Sequence, residues 1–332
     1  MLNRWRISIV ENMNKKIQCI ALVIMCLSIL YFGVHMESVE KMKEKNMIRV
    51  SVVLPHSDDG YWSNIEKGIL EGEADYSDRV DVQIHIPQLN YNIDQMVELI
   101  KRQTAAKVDA IIVQGNENKE YVDALIGARN QGIQIVLVDT DILIFPPHLY
   151  VGTNNYEAGV LMGEKLAEIT GGEAKVAVLS GEAGYANLQE RCQGLAAISE
   201  KYPLIEFIRL DYDNYDGLTV MNKYNEIHGE NPEIDTLVCV EGTGGQTLGA
   251  VFKEEQSEYQ NIVVFDITEE TQKGLKNGIV DGIVSQDTNQ MGYQAIKEIV
   301  KYMDEGKYSN NCIYTKTGWI ASETIEEEEA YE

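Results

Sequence analysis

The chain has 332 residues, enough for two lobes with a sizeable core in each. Its 53 acidic side chains against 28 basic ones give a net charge of −25, which argues against a nucleic-acid partner, because binding phosphates needs a basic face. Five cysteines without a CxxC spacing and five scattered histidines offer no metal-ligand pattern, so neither a metal nor a cofactor is expected.

The first element is apolar. Residues 17–34, IQCIALVIMCLSILYFGV, carry no charge; as a helix they would be roughly 27 Å long, about the thickness of a bilayer's hydrocarbon core. Arg4, Arg6, Lys15 and Lys16 precede this run, against Glu11 alone. That bias puts residues 1–16 in the cytoplasm and everything after Val34 outside it. Val34-His35-Met36-Glu37-Ser38 lacks the small residues a signal peptidase reads, and neither Cys19 nor Cys26 follows the small residue that a lipidated cysteine requires. The run therefore reads as a retained transmembrane anchor, with cleavage or lipidation as the alternatives. Met13 resembles the start of a signal sequence and competes with Met1 as the first residue. Residues 35–47, rich in Glu and Lys, read as a solvated helical linker.

From Ile48 onward, short β-branched runs alternate with longer segments of helical spacing. Strands are predicted over 49–54, 80–86, 110–114, 134–139, 150–153, 175–180, 205–210, 236–240, 262–265 and 282–286. Helices are predicted over 63–76, 93–106, 120–131, 156–170, 187–201, 217–226, 246–255, 269–276 and 290–304. Strand and helix in alternation imply βαβ units and parallel sheets, and this many strands suits two doubly wound sheets better than one. Ser63 or Asn64 is expected to cap the first helix, and Thr268 to open another with Glu269 and Glu270 in its first turn. Thr243-Gly244-Gly245 precedes a further helix but has neither GxGxxG nor GK[ST], so it is not a nucleotide loop.

The loop after the first strand draws attention. Pro55 ends the ladder, Ser57-Asp58-Asp59-Gly60 follows, and Tyr61 and Trp62 close the loop. Ligands of open α/β sheets bind beyond the carboxyl ends of the strands. A carboxylate beside two aromatic rings suits a polyol, which needs acceptors for its hydroxyls and flat faces for its C–H surface. The competing reading is a turn whose aromatics close the core.

Several segments, taken in order, resemble the type I periplasmic sugar-binding proteins, the ribose-, galactose- and glucose-binding group of ABC importers. VSVVLPHSDDGYWSNIEKGI resembles that family's first strand and aromatic loop, VDAIIVQG and QIVLVDTD its third and fourth strands, and YVGTNNYEAGVLMGEKLAE the crossover into its second lobe. VAVLSGEAGYANLQERCQGL resembles the opening of that lobe, and VVFDITEETQKGLKNGIVDGIVSQDTNQMGYQAI the return to the first. The resemblance implies a periplasmic binding protein type I fold, two parallel-sheet lobes joined by a hinge. Residues 48–153 with 287–308 would form lobe 1, 154–286 with 309–321 lobe 2, and 322–332 an acidic tail.

The resemblance also implies ligand positions. Asp59 and Asp139 fall where hydroxyl acceptors stand, Tyr61 and Trp62 where rings sandwich the sugar, and Arg191 where an arginine donates to ring and hydroxyl oxygens. Tyr185 falls at a polar ring-contacting position and Tyr215 at the opposing aromatic, with Tyr212 as its rival. Glu241 or Thr243 falls at a position that is often Asn, and Asp266 and Gln286 where an acceptor and an amide come from lobe 2 and the hinge. Structural alternatives exist: Asp139 and Asp266 as turn or helix caps, Arg191 as a surface partner of Glu182 or Glu190. Two departures matter. Thr140 replaces an arginine of several members, and Glu241 adds a negative charge. The cleft is then unusually acidic, which brings an amino sugar or another cationic polyol into view beside a neutral sugar. Gly171-Gly172-Glu173 is no counterpart of the calcium loop of the glucose/galactose members, so no metal is expected.

The resulting expectation is a monomeric, membrane-anchored, extracytoplasmic protein that captures a monosaccharide-like ligand for an ABC permease. The alternative is a sensor that presents its ligand state to a membrane histidine kinase. An enzyme is not expected, since GxSxG, HExxH and a histidine beside a candidate nucleophile are all lacking.

Overall fold

The structure, a computed structural model, describes residues 47–56, 60–146, 148–252 and 257–321. The expected anchor, linker and acidic tail lie outside the described residues, as does Asp59. No helix among the described residues is long and apolar enough to cross a membrane.

The first lobe opens with β1 (Ile48–Val53), α1 (Tyr61–Asp75), β2 (Val80–His85), α2 (Ile93–Ala106), β3 (Ala110–Gln114), α3 (Lys119–Asn130), β4 (Gln134–Val138) and β5 (Leu149–Gly152). The chain then builds a second lobe from α4 (Asn155–Thr170), β6 (Glu173–Ser180), α5 (Ala186–Ala196) with a 3-10 turn (Ala197–Glu200), β7 (Leu204–Tyr212) and α6 (Gly217–Glu230). β8 (Thr236–Cys239), α7 (Gly242–Val251), β9 (Asn261–Phe265), α8 (Glu269–Lys276) and β10 (Gly282–Gln286) complete its core. α9 (Thr288–Glu305), β11 (Cys312–Tyr314) and β12 (Thr317–Ile320) follow.

Two six-stranded sheets result, ordered β11-β5-β4-β3-β1-β2 and β12-β10-β9-β8-β6-β7. The first is parallel throughout, and the second is parallel except for β12, which runs antiparallel to β10. Helices cover both faces of each sheet, which is why central strands such as Ala110–Gln114 are buried along their whole length instead of alternating. In lobe 1, α1 and α9 bury one face, α2 and α3 the other. In lobe 2, α4 and α5 oppose α6, α7 and α8. The return of α9 to lobe 1 depends on close backbone approach: a Cβ on Gly68 would lie 1.8 Å from the Asn289 carbonyl oxygen.

The chain passes between the lobes after β5, after β10 and after β11. These passages are tied together. Asp287 N–H donates to the Lys316 carbonyl (3.0 Å) and Thr315 N–H to the Gly152 carbonyl (2.8 Å), while the Thr153 hydroxyl donates to Gln286 Oε1 at 2.7 Å.

Some expectations need correction. Segment 309–321 does not go whole to lobe 2: β11 pairs with β5 in lobe 1, and only β12 joins lobe 2. The first helix starts at Tyr61 with Gly60 at its N-cap, so Tyr61 and Trp62 form its first turn instead of closing a loop. α7 starts at Gly242 and takes in Thr243, Gly244 and Gly245, because the Glu241 carboxylate satisfies the first free amides. The helix expected over 187–201 ends at Ala196 and tightens into the 3-10 turn. At Thr268 the capping box is present, with Thr271 as the reciprocal partner.

Candidate functional site

The carboxyl ends of both sheets face one cavity of about 500 Å³, within the usual range for a small-molecule pocket. Lobe 1 contributes Tyr61, Trp62, Tyr91, Gln114 and Asp139. Lobe 2 contributes Tyr185, Arg191, Tyr215, Glu241 and Asp266, and Gln286 stands where β10 runs into the hinge. Every predicted site residue among the described residues therefore lines the same space. Tyr212, the rival of Tyr215, is at the exposed end of β7 and does not line it.

Two aspartates anchor the opposite walls. Asp139 follows β4 with φ +65°, and Asp266 follows β9 with φ +70°, a left-handed conformation that costs a non-glycine residue free energy. The surroundings hold each one in place. The buried Tyr150 hydroxyl donates to the Asp139 carbonyl (2.8 Å), and the Thr271 hydroxyl to the Asp266 carbonyl (3.0 Å). The strain turns both carboxyl groups out of the strand direction and into the cavity.

Asp139 accepts from the Tyr61 hydroxyl at 2.6 Å, from Gln114 Nε2 at 2.9 Å and from the Thr140 hydroxyl at 2.7 Å. Burial, followed by the Asp139 and Asp266 charges, pushes the Tyr61 phenol well above its ordinary value, so it stays a donor. Asp266 Oδ1 accepts from Gln286 Nε2 at 2.6 Å. Burial raises the Asp266 carboxyl to about 6, with Arg191 and Gln286 opposing and the Asp139 and Glu241 charges adding to the rise.

Arg191 is 3% exposed, so it is not the surface partner of Glu182 or Glu190. Its Nε donates to Asn155 Oδ1 (2.9 Å), Nη1 to the Val240 carbonyl (3.0 Å) and Nη2 to Gln286 Oε1 (2.9 Å). Its guanidinium lies 4.1 Å from the Phe265 ring centroid, a cation–π contact.

The family model for the periplasmic binding protein domain matches residues 50–307. The chain belongs to that family. Among relatives, the ribose import binding protein RbsB of Escherichia coli is 19% identical over 239 residues, 71% of this chain and 79% of that protein. Among solved structures, GanP, a glucose-galactose binding protein from Geobacillus stearothermophilus, is 27% identical with a TM-score of 0.78, covering 84% of this chain and 99% of that one. The XylFII-LytSN complex includes a chain that is 22% identical with a TM-score of 0.72, over 84% of this chain and 99% of that one.

Within this binding-protein fold, several cavity residues carried no mark in the sequence reading. Gln114 ends β3 and holds Asp139; a polar residue closing an apolar strand was the available signal. Tyr91, between β2 and α2, shares the strand-end position of the other site loops. Its hydroxyl accepts from Trp62 Nε1 at 2.9 Å, and its ring stacks on Tyr215 across the lobes at 5.6 Å and 10°. Tyr185 meets Tyr215 edge-on at 6.0 Å and accepts a hydrogen bond from Asn116 Nδ2 of lobe 1 at 3.2 Å. Tyr91, Tyr185 and Tyr215 thus form a wall of rings that joins the lobes along one side of the cavity.

Glu241 has a second duty. Its carboxylate accepts the Thr243 and Gly244 N–H groups at 2.7 Å each, capping α7. Behind it Asp213 is fully buried; its Oδ1 accepts the Tyr215 N–H at 2.9 Å and its Oδ2 accepts no hydrogen bond. Burial, then the Glu241 charge, drives the Asp213 carboxyl far above its ordinary value.

Proposed function

We propose that the chain is an extracytoplasmic solute-binding protein that closes two lobes over one monosaccharide-sized ligand and passes it to an ABC-type importer. The observation that carries this reading is the joint placement of Asp139, Arg191, Asp266 and Gln286, from two lobes and the hinge, around one cavity. Carboxylates accept hydroxyl hydrogens, the guanidinium donates and the amide does both. The ring wall supplies flat apolar surface for C–H groups. These groups bind and orient a ligand, and the reading includes no covalent step. The similarity to ribose- and glucose-galactose-binding proteins supports a sugar, and a hinged pair of lobes supports capture by closure.

A thermal-shift screen of the full chain against pentoses, hexoses, hexosamines and polyols tests this. A ligand that binds only the folded state must raise the melting temperature, so a flat response to every saccharide and polyol would sink the assignment.

The Tyr91–Tyr215 stack gives a second expected result. Aromatic pairs contribute roughly 0.5–1.5 kcal/mol beyond area burial, and this pair joins a residue of lobe 1 to one of lobe 2. Tyr91→Ala is expected to speed ligand release about tenfold and to raise the radius of gyration of the unliganded protein in X-ray scattering. Unchanged release and scattering would show that the rings do not hold the lobes together.

A second reading keeps the clamshell but makes it a sensor, tethered by residues 17–34, that presents its ligand state to a membrane histidine kinase. The uncharged run without a lipidation signal favours it, and the XylFII chain among the structural neighbours was solved together with a second protein, LytSN. Co-purification separates the two: a permease and ATPase in one case, a kinase in the other.

A further inference from the structure

The charges around the cavity do not balance. Among the described residues that line it, Arg191 is the only arginine or lysine, set against the carboxylates of Asp139, Glu241, Asp266, Glu269 and Glu270. Asp139 already accepts three hydrogen bonds, and Glu241 is held by the amides of α7. Asp266 is different: Gln286 reaches one of its oxygens. The other oxygen, Oδ2, lies 3.2 Å from where a Cβ on Gly242 would stand, against the wall at the start of α7.

Arg191 does not neutralise Asp266 directly. Its donors go to the Asn155 and Gln286 side-chain oxygens and the Val240 carbonyl, all neutral acceptors. The raised Asp266 carboxyl reflects the same shortfall, since burial and the Asp139 and Glu241 charges together outweigh Arg191. A ligand made only of hydroxyls would bury this excess further without compensating it, and an uncompensated buried carboxylate is costly. A ligand cation would relieve it, and the ring faces of the cavity favour positive charge as well.

We propose that the ligand is a protonated amino sugar, its ammonium group hydrogen-bonded to Asp266 and its hydroxyls to Asp139 and Arg191. This rests on the saccharide reading above and narrows it. A quaternary ammonium compound would satisfy the charge but offer no hydrogen bond to the Asn187 and Gln246 amides that line the cavity, and such unmet groups discriminate strongly against a ligand.

The test is calorimetric titration of the full chain with D-glucosamine, D-galactosamine and D-mannosamine. Each is compared with its parent sugar and its N-acetyl derivative, near pH 7 and near pH 5. At least one amine should bind about tenfold tighter or more than both of its neutral counterparts near pH 7, the scale of one charge-assisted hydrogen bond. That advantage should shrink near pH 5, where Asp266 takes up a proton, and Asp266→Asn should remove it at both pH values. The pH comparison uses the unaltered protein and so does not depend on the variant folding. A parent sugar that binds as tightly as its amine overturns the inference and leaves the saccharide reading intact. If no saccharide of any kind binds, the saccharide reading itself falls and takes this inference with it.

Discussion

Arg191→Ala should destabilise the protein by about 3–5 kcal/mol and abolish ligand binding in the same step. Arg191 belongs to α5, yet its three donating nitrogens reach the first turn of α4, the residue after β8 and the hinge-side end of β10. Truncation would leave the Asn155 oxygen and the Val240 carbonyl short of the donor they have here, which costs free energy in the interior, and the Gln286 oxygen with the Thr153 hydroxyl alone. It would also empty the space against Phe265 and remove the charge that opposes Asp139 and Asp266. Gln286 would then be held only by Thr153 and Asp266, so the loss passes into the cavity. Arg191→Lys restores a charge, but one ammonium cannot serve three acceptors spread around a planar fork; its stability should fall between those of the alanine variant and the parent. Urea unfolding followed by circular dichroism measures the effect. An alanine variant within about 1 kcal/mol of the parent would show that Arg191 is not a strut.

The alternation of β-branched runs and helical spacing made the two doubly wound sheets legible, because parallel strands covered on both faces must be apolar along their length. The aspartates ending the fourth and ninth strands were legible for a related reason: a charged residue that stops an apolar run marks the rim where ligands bind. Other features depend on contacts that no local pattern encodes. Sequence reasoning counted Glu241 as part of an acidic cleft, which it lines, but did not show that the fold also uses it to cap α7 and sets Asp213 behind it. Tyr91 gains its significance only when a second ring, far along the chain, arrives from the other lobe. β11 and β12, three and four residues long, are too short to carry a period; their pairing follows from the position of the third passage between lobes. For Arg191 the sequence allowed a surface ion pair as readily as a buried strut, since burial is a property of the packed helix and not of the residue type.

Asp266→Asn is expected to stabilise the unliganded protein while weakening its binding. The Asp266 carboxyl is raised from 3.8 to about 6, chiefly by burial, so the folded state holds this proton more tightly than the unfolded chain does. The sign follows from linkage. Below the unfolded value both states are protonated and the group costs nothing. Between 3.8 and about 6 the cost grows as pH rises, and above that window it is complete. A shift of this size corresponds to about 2–3 kcal/mol. Asparagine keeps an oxygen for the Gln286 donor but carries no charge, so the variant should unfold at higher urea than the parent near pH 7, and the difference should close as pH falls toward 4. If the stability difference were constant across that range, the ionised carboxyl would not be its source. The site holds an under-compensated carboxylate where neighbouring backbone strain and burial both oppose it, which is the signature expected of a group selected for what it binds over what it stabilises.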